Sequence, residues 1–429
     1  MSFVSSPSQS AVRSPAAVSP ARVFWAAWAG WMLDGFDSAI YGFVLVGALT
    51  ELLPGSGRPA TQANIAFFGG MLFSIFMLGW ACSMFWGWMA DRIGRVRAMC
   101  WTIFLYSVFT AACGLTAGIA SFAVFRFLSG FAIGGEWAAG TPLLHESVPE
   151  TMRVRLAGWL HTATPTGITL AALVTFALLR VVGWRGMFLI GAAPALLALY
   201  LRLNIPEPER SPHRAPSPGT QGLFSGAQAR VTWVAALMMA CAIFGLWSST
   251  FWVPTVVVTK LVKAGQPLRH AQTMAALTGV ITNVGTFLGC LFMPWLTTLM
   301  KGRKITAAVF FTGALVTNVL AYHLVIGRLD NLVAFCVLLP VLGFFTNGIF
   351  ALYTIWLPEM FPSALRGFGG GFAFSLGRVL GAAGPTIVGA LAASTGSYPT
   401  AISLVSLIYL VALPCVAFAP ETSRKPLPA

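Results

Sequence analysis

Residues 126–155 read RFLSGFAIGGEWAAGTPLLHESVPETMRVR, and this stretch decides how the rest of the chain is interpreted. Its first part is apolar enough for a long membrane helix, yet it carries Arg126 and Glu136. A charge in the hydrocarbon core costs about 2.5–3.5 kcal/mol on insertion scales, so such a residue usually has a function. The stretch then leaves the apolar region through Glu146, Pro149 and Arg153. Buried charges, and their repetition along the chain, are therefore the features from which we infer function.

The composition of the whole chain indicates a polytopic membrane protein in a lipid bilayer. Of its 429 residues 57% are hydrophobic and 9% are charged, and the mean hydropathy is +0.80; a soluble protein has about 25% charged residues. The net charge of +14 does not indicate a nucleic-acid partner, because the basic residues lie between apolar stretches. The seven cysteines show no metal-binding spacing. We expect no metal, no cofactor and no catalytic residues, so the chain is not expected to be an enzyme.

A helix needs about 20 apolar residues to cross a bilayer. By that measure the chain is predicted to be an all-α membrane protein with twelve spans in two pseudo-symmetric six-helix bundles. The predicted spans are 23–50, 62–90, 97–117, 119–145, 154–180, 184–203, 231–259, 271–300, 304–326, 331–357, 365–393 and 396–418.

Two repeated motifs divide the chain into related halves. Glu-x-x-Pro-x-x-x-Arg occurs at 146–153 and 359–366, and Pro-Glu-x-x-Arg occurs at 206–210 and 420–424. Parallel repeats of this kind place a transport site near the membrane midplane between the halves, which alternate its access. The excess of Arg and Lys in one set of loops predicts that both termini are cytoplasmic. The predicted parts are a disordered cytoplasmic tail (1–22), an N-terminal bundle (23–203), a cytoplasmic linker (204–230), a C-terminal bundle (231–418) and a second cytoplasmic tail (419–429).

At this point the chain resembles the major facilitator superfamily over essentially its whole length. Residues 87–95, GWMADRIGR, match the signature of the loop between helices 2 and 3 in that superfamily. The sequences Asp34-Gly35-Phe36-Asp37, Gly134-Gly135-Glu136-Trp137 and Gly377-Arg378 resemble the proton-coupled symporters of organic acids, including the aromatic-acid, lactate and sialic-acid branches. The resemblance implies the bacterial inner membrane, and a monomer is the default expectation. Sugar porters are close relatives, but they typically carry Gln or Asn on helices 5 and 7, which are absent here.

Helical rise predicts that several of the charges share one layer of the membrane. Asp34, Glu136 and Arg378 each lie about 18–20 Å from the predicted inner end, at about 1.5 Å per residue. Asp37 is one turn further along, about 60° round the helix, so we expect it on the same face as Asp34. Asp34, Asp37 and Glu136 are thus the proton-coupling candidates. Arg126 is about 15 Å from Glu136, so we expect it to reach Asp37 or to cap the outer side of a cavity.

Arg378 is the only strongly basic residue deep in the second half. Its guanidinium is suited to binding a substrate carboxylate in a bidentate fork, although a pair with a first-half acid stays open. The other predicted substrate contacts are Arg126, Asn347 and Tyr353. His161 is interpreted as a hydrogen-bonded helix histidine rather than a proton relay. Seven charged residues at the predicted cytoplasmic ends of the helices are interpreted as a gate that closes the inner mouth; the alternative is an ordinary set of charged loops. They are Asp91, Arg92, Arg95, Glu146, Arg153, Glu359 and Arg366.

The function that these features favour is proton-coupled symport of a small organic anion by alternating access. Two other transport functions stay open: a drug/proton antiporter, which can share the fold and its acids, and a sugar or polyol porter. A sensor or scaffold that does not transport would have no need of buried titratable groups. Lactate-like, aromatic, sialic and dicarboxylic acids are all compatible with the motifs.

Overall fold

A computed structural model describes the backbone of residues 20–82, 85–86, 89, 92–147, 156, 159–203, 220–362 and 365–423. Within the helices it leaves out some side chains, among them those of residues 136–147. The described chain is helical throughout, and ten of its helical stretches are long and apolar enough to cross a membrane. Most of the two predicted tails and of the linker fall outside the described residues. Because the described residues contain ten candidate spans, the twelve-span arrangement stays a prediction.

The first half contains five long helices in its described part. The fifth contains the break that separates two predicted spans, because Gly183 adopts a φ of 66° in its middle. That left-handed conformation favours glycine, which has no Cβ to clash with the following carbonyl. The helices are α1 (Pro20–Gly55), α2 (Gln62–Ala81), α3 (Arg95–Gly114), α4 (Ile119–Ser147) and α5 (Ala163–Leu203).

The second half is more interrupted. A 3₁₀ turn, Thr250–Trp252, joins two helices, and a π-helix, Val319–Arg328, extends another. The helix that contains Pro385 is broken at Ala382, because a proline ring clashes with the preceding helical turn. The helices are α6 (Gly226–Ser249), α7 (Val253–Lys263), α8 (Leu268–Leu299), α9 (Arg303–Asn318), α10 (Leu332–Met360), α11 (Arg366–Gly381), α12 (Ala383–Thr395), α13 (Tyr398–Val405) and α14 (Ile408–Phe418).

The two halves meet where α2 packs against α12 and α5 against α8. Between α2 and α12 the backbones approach closely at two glycines. A Cβ on Gly70 would lie 2.1 Å from the carbonyl oxygen of Pro385, and one on Gly389 would lie 2.3 Å from that of Ala66. Thr386 Oγ1 also donates a hydrogen bond of 2.7 Å to Ser74 Oγ across this contact. This is the predicted outer end of the bundle, and in this structure the halves are closed there.

Replacing Gly389 with valine is expected to open this contact. The new side chain meets backbone of the opposite half, and overpacking of this kind costs about 1–3 kcal/mol. A shift of that size increases the population of the open arrangement relative to the closed one by about 5- to 150-fold. The measurement is the rate at which a maleimide labels Ser74→Cys in detergent, in a chain whose native cysteines are replaced by alanine. Gly371→Val is the matched control, since a Cβ there meets nothing within 4 Å; equal labelling rates in the two variants would contradict the prediction.

Candidate transport site

Two adjoining chambers lie between the halves. The larger, which we call the charged chamber, holds about 1030 Å³ of space not filled by atoms, open solvent included. The smaller, the neutral chamber, holds about 610 Å³ measured in the same way. Five side chains line both and therefore mark their junction: Ser38, Ile168, Leu246, Trp247 and Asn347.

The charged chamber takes its name from two residues of opposite charge, one from each half. Asp34 projects from α1 and Arg378 from α11, and each is less than 10% exposed. The guanidinium of Arg378 lies over the ring of Trp80, 4.6 Å from its centroid, and over Phe374 at 5.5 Å. The Asp34 carboxylate acts on it electrostatically. A planar cation held between aromatic rings keeps its hydrogen-bonding fork oriented and binds carboxylates well.

A second acidic group, Asp37, lies inside the first half and away from both chambers. Its side chain is 1% exposed, it accepts a 3.4 Å hydrogen bond from Ser129 Oγ, and it also contacts Thr110. The guanidinium of Arg126 interacts with it electrostatically. Asp37 is therefore held by α3 and α4, out of reach of a ligand in either chamber.

Arg126 is itself fully buried in this cluster. Its guanidinium lies 4.1 Å from the ring centroid of Phe76 and 4.8 Å from that of Tyr41. Its three guanidinium nitrogens have no hydrogen-bond partner among the described residues. Because burying an unpaired charge is costly, the electrostatic interaction with Asp37 and the two ring faces are what hold this cation in the first half.

Comparison with known proteins agrees with this arrangement. The family model described as Major Facilitator Superfamily matches residues 27–323, which is more than half of the chain. The chain belongs to the Major Facilitator Superfamily. The resemblance inferred from the motifs is thereby confirmed, and the chain belongs among transporters rather than enzymes.

Two relatives within this superfamily come from Acinetobacter baylyi. The niacin transporter NiaP is 25% identical over 94% of this chain and 95% of its own length. A cis,cis-muconate transport protein is 28% identical over 80% of this chain and 82% of its own. Among solved structures, the xylose transporter XylE of E. coli in a partially occluded inward-open conformation covers 95% of this chain and 99% of its own, with a TM-score of 0.72 and 18% identity. The TM-score shows that the two proteins share a fold, and the sequence identity is too low to indicate the substrate.

Within this superfamily fold, three predicted positions need correction. Asp37 does not share the cavity face of Asp34: the 60° rotation between them is enough to turn it into the first-half bundle. Arg126 interacts with Asp37, the first of the two positions expected for it. It lines neither chamber, because α4 packs its side chain against α1 and α2, so the predicted substrate contact is not made in this structure. Tyr353 is fully buried and also lines neither chamber. It is six residues beyond Asn347, which turns it about 240° from the cavity face.

Four other residues are found at the chambers, two of them named in the sequence analysis and two not. Asn347 lines both chambers. His161 lines the charged chamber and hydrogen-bonds across the halves to Thr354 Oγ1, so it is hydrogen-bonded as predicted. Trp80 and Phe374 were not predicted. Phe374 precedes Arg378 by four residues, one helical turn, which is a signal that sequence reasoning could have used.

The predicted gate is described only in part. Arg92 is exposed, whereas two gate residues and the side chains of three more lie outside the described residues: Asp91 and Arg153, and Arg95, Glu146 and Arg366. The side chain of the proton-coupling candidate Glu136 also lies outside them.

Glu359, another predicted gate residue, accepts hydrogen bonds from Arg303 at 2.9 and 3.2 Å and from Thr422 Oγ1 at 2.6 Å. Glu421 accepts from the backbone N–H groups that begin α9. Partial burial raises the pKa of the Glu421 carboxyl group, but hydrogen bonds from the backbone N–H groups of Ser423, Arg303 and Lys304 have the larger effect. The net result is a lowered pKa for Glu421. All these groups belong to the second half, so among the described residues Glu359 fastens that half internally.

Proposed function

We propose that this protein is a secondary active transporter that couples the movement of a small carboxylate to protons by alternating access. The observation that carries the proposal is the placement of Arg378, buried between aromatic rings in a chamber shared by both halves. A fixed cation there offers a binding site for one negative charge at a point that both faces of the membrane can reach in turn.

The wall of the charged chamber favours a flat or unsaturated anion. Besides Trp80 and Phe374, it includes Trp31, Trp247 and Phe350. Aromatic faces contribute most when a flat apolar group stacks against them. The names of the two relatives, a niacin and a muconate transporter, support an unsaturated carboxylate as the substrate class.

Proton coupling is assigned to Asp37, with Arg126 as its partner. Because Asp37 lines neither chamber, a bound substrate does not contact its carboxylate. The carboxylate can therefore exchange its interaction with Arg126 for a proton when the helices move. Asp34 then completes the charged chamber beside Arg378. Glu136 stays a second proton candidate on the strength of its sequence position alone.

The topology belongs to the same proposal. Twelve spans form bundles at 23–203 and 231–418, joined by the linker 204–230, with both termini in the cytoplasm. The protein is placed in a bacterial inner membrane as a monomer. The inner-end charges Asp91, Arg92, Arg95, Glu146, Arg153 and Arg366 close the cytoplasmic mouth in the outward-open state.

The test is uptake by proteoliposomes with an alkaline interior. Labelled benzoate, nicotinate and cis,cis-muconate are compared with xylose and with a cationic dye. Accumulation of at least one carboxylate, abolished by a protonophore, is the expected result. Uptake of xylose alone would establish a sugar porter instead, and gradient-driven extrusion of the dye alone would establish a drug/proton antiporter.

A further inference from the structure

The neutral chamber differs in chemistry from the charged chamber that it adjoins. None of the side chains that line it is charged, as far as the described residues form its wall. Its polar residues beyond the junction are Thr250, Thr278, Thr282 and Asn283. Three of these four come from α8, where Thr278 and Thr282 are one helical turn apart. A ligand anchored at Arg378 and extending past Asn347 therefore reaches a wall of neutral oxygen-bearing groups.

The hydroxyl groups of this wall already donate their hydrogens. Thr278 Oγ1 donates to Ala275 O at 2.5 Å, Thr282 Oγ1 to Thr278 O at 2.7 Å, and Thr250 Oγ1 to Leu246 O at 2.8 Å. A hydroxyl has one hydrogen to donate and two lone pairs that accept. While it keeps its bond within the helix, each of these threonines offers a ligand a hydrogen-bond acceptor.

Asn283 is committed only in part in the same direction. Its Nδ2 donates one hydrogen to Gly279 O at 2.7 Å. The amide keeps its Oδ1 as an acceptor and one further N–H, so Asn283 can still donate once. Ser38 and Asn347, which can also donate, lie at the junction with the charged chamber.

We propose that the neutral chamber is a specificity subsite for a hydrogen-bond donor, a hydroxyl or an amine, on the end of the substrate remote from its carboxylate. Thr282, with Thr278 and Asn283, selects such substrates over those that end in an acceptor or in hydrocarbon. This inference rests on the proposed transport of carboxylates and adds to it a second recognition element.

The test is equilibrium binding to the purified full-length protein. The probes are benzoate, 3- and 4-hydroxybenzoate, and the two corresponding methoxybenzoates, which keep the oxygen but cannot donate. At least one hydroxybenzoate is expected to bind about fivefold more tightly than benzoate and than its methoxy partner, the effect of one net hydrogen bond. In Thr282→Val this preference is expected to fall below about twofold, while the Kd for benzoate is unchanged.

Two further variants separate loss of the hydroxyl from loss of structure. Thr282→Ser keeps the hydroxyl and is expected to keep the preference. Thr317→Val removes a buried hydroxyl that also donates within its own helix, to Gly313 O at 2.7 Å, but lines neither chamber; its preference is expected to equal that of the native protein. Equal binding of hydroxy and methoxy partners, or an unchanged preference in Thr282→Val, would overturn the subsite while leaving carboxylate transport intact. Failure of all five carboxylates to bind would overturn both.

Discussion

Replacement of Arg378 with lysine is expected to weaken carboxylate binding by about 10- to 100-fold. An ammonium keeps the charge but loses the planar fork that matches a carboxylate and stacks between Trp80 and Phe374. Hydrogen bonds to charged groups contribute about 1.5–3 kcal/mol, which corresponds to that range of affinity. The Kd of the transported carboxylate, measured on the purified protein, checks the prediction.

The matched control is Arg328→Lys, because Arg328 is exposed at the end of the π-helix. An unchanged Kd in Arg378→Lys would refute the anion role. The alternative role, a permanent pair with Asp34, is separated by Asp34→Asn. If Arg378 serves only to neutralise Asp34, the double variant with Arg378→Gln should bind the carboxylate as tightly as the native protein; if it binds the anion, the double variant should remain deficient.

The sequence was sufficient to predict where charge enters the membrane. A charge in an apolar helix is conspicuous, and a rise of about 1.5 Å per residue converts its position into depth. That is why Asp34 and Arg378, which are 344 residues apart in the chain, could be assigned to one layer and are found at one chamber.

The direction of a side chain round its helix was harder to predict. Depth does not specify rotation, and a helix in the middle of a bundle has neighbours on every side. Asp37 therefore faces into the first half, where α4 packs on α1, although it lies at a depth compatible with the cavity. Its approach to Arg126 was expected; its rotation away from Asp34 was not. The pairing of Glu359 with Arg303 depends on how the end of the chain folds back onto α9, which no local pattern indicates.

Replacement of Asp37 with asparagine is expected to abolish proton-driven accumulation while preserving exchange. Asparagine has the shape of the carboxylate but cannot carry a proton in one conformation and release it in another. Symport of one proton with one monovalent anion supports about tenfold accumulation per pH unit of gradient. In the variant this ratio is expected to fall to about one, since the gradient no longer acts on the carrier. Accumulation ratios in proteoliposomes at a fixed pH gradient provide the measurement.

Exchange of labelled for unlabelled substrate is the internal control, because it requires a folded carrier but no net proton movement. Asp37→Asn leaves Arg126 buried beside a neutral partner, and loss of one member of a buried pair costs about 3–5 kcal/mol. Asp37→Glu, which retains a titratable group, and Asp330→Asn, which alters an exposed acid paired with Lys260, are expected to keep accumulation. A variant Asp37→Asn that still concentrates its substrate tenfold per pH unit would exclude Asp37 as the proton carrier. The coupling would then have to reside in Asp34 or Glu136, and a proton site at Asp34 would lie in the same chamber as the anion that Arg378 binds.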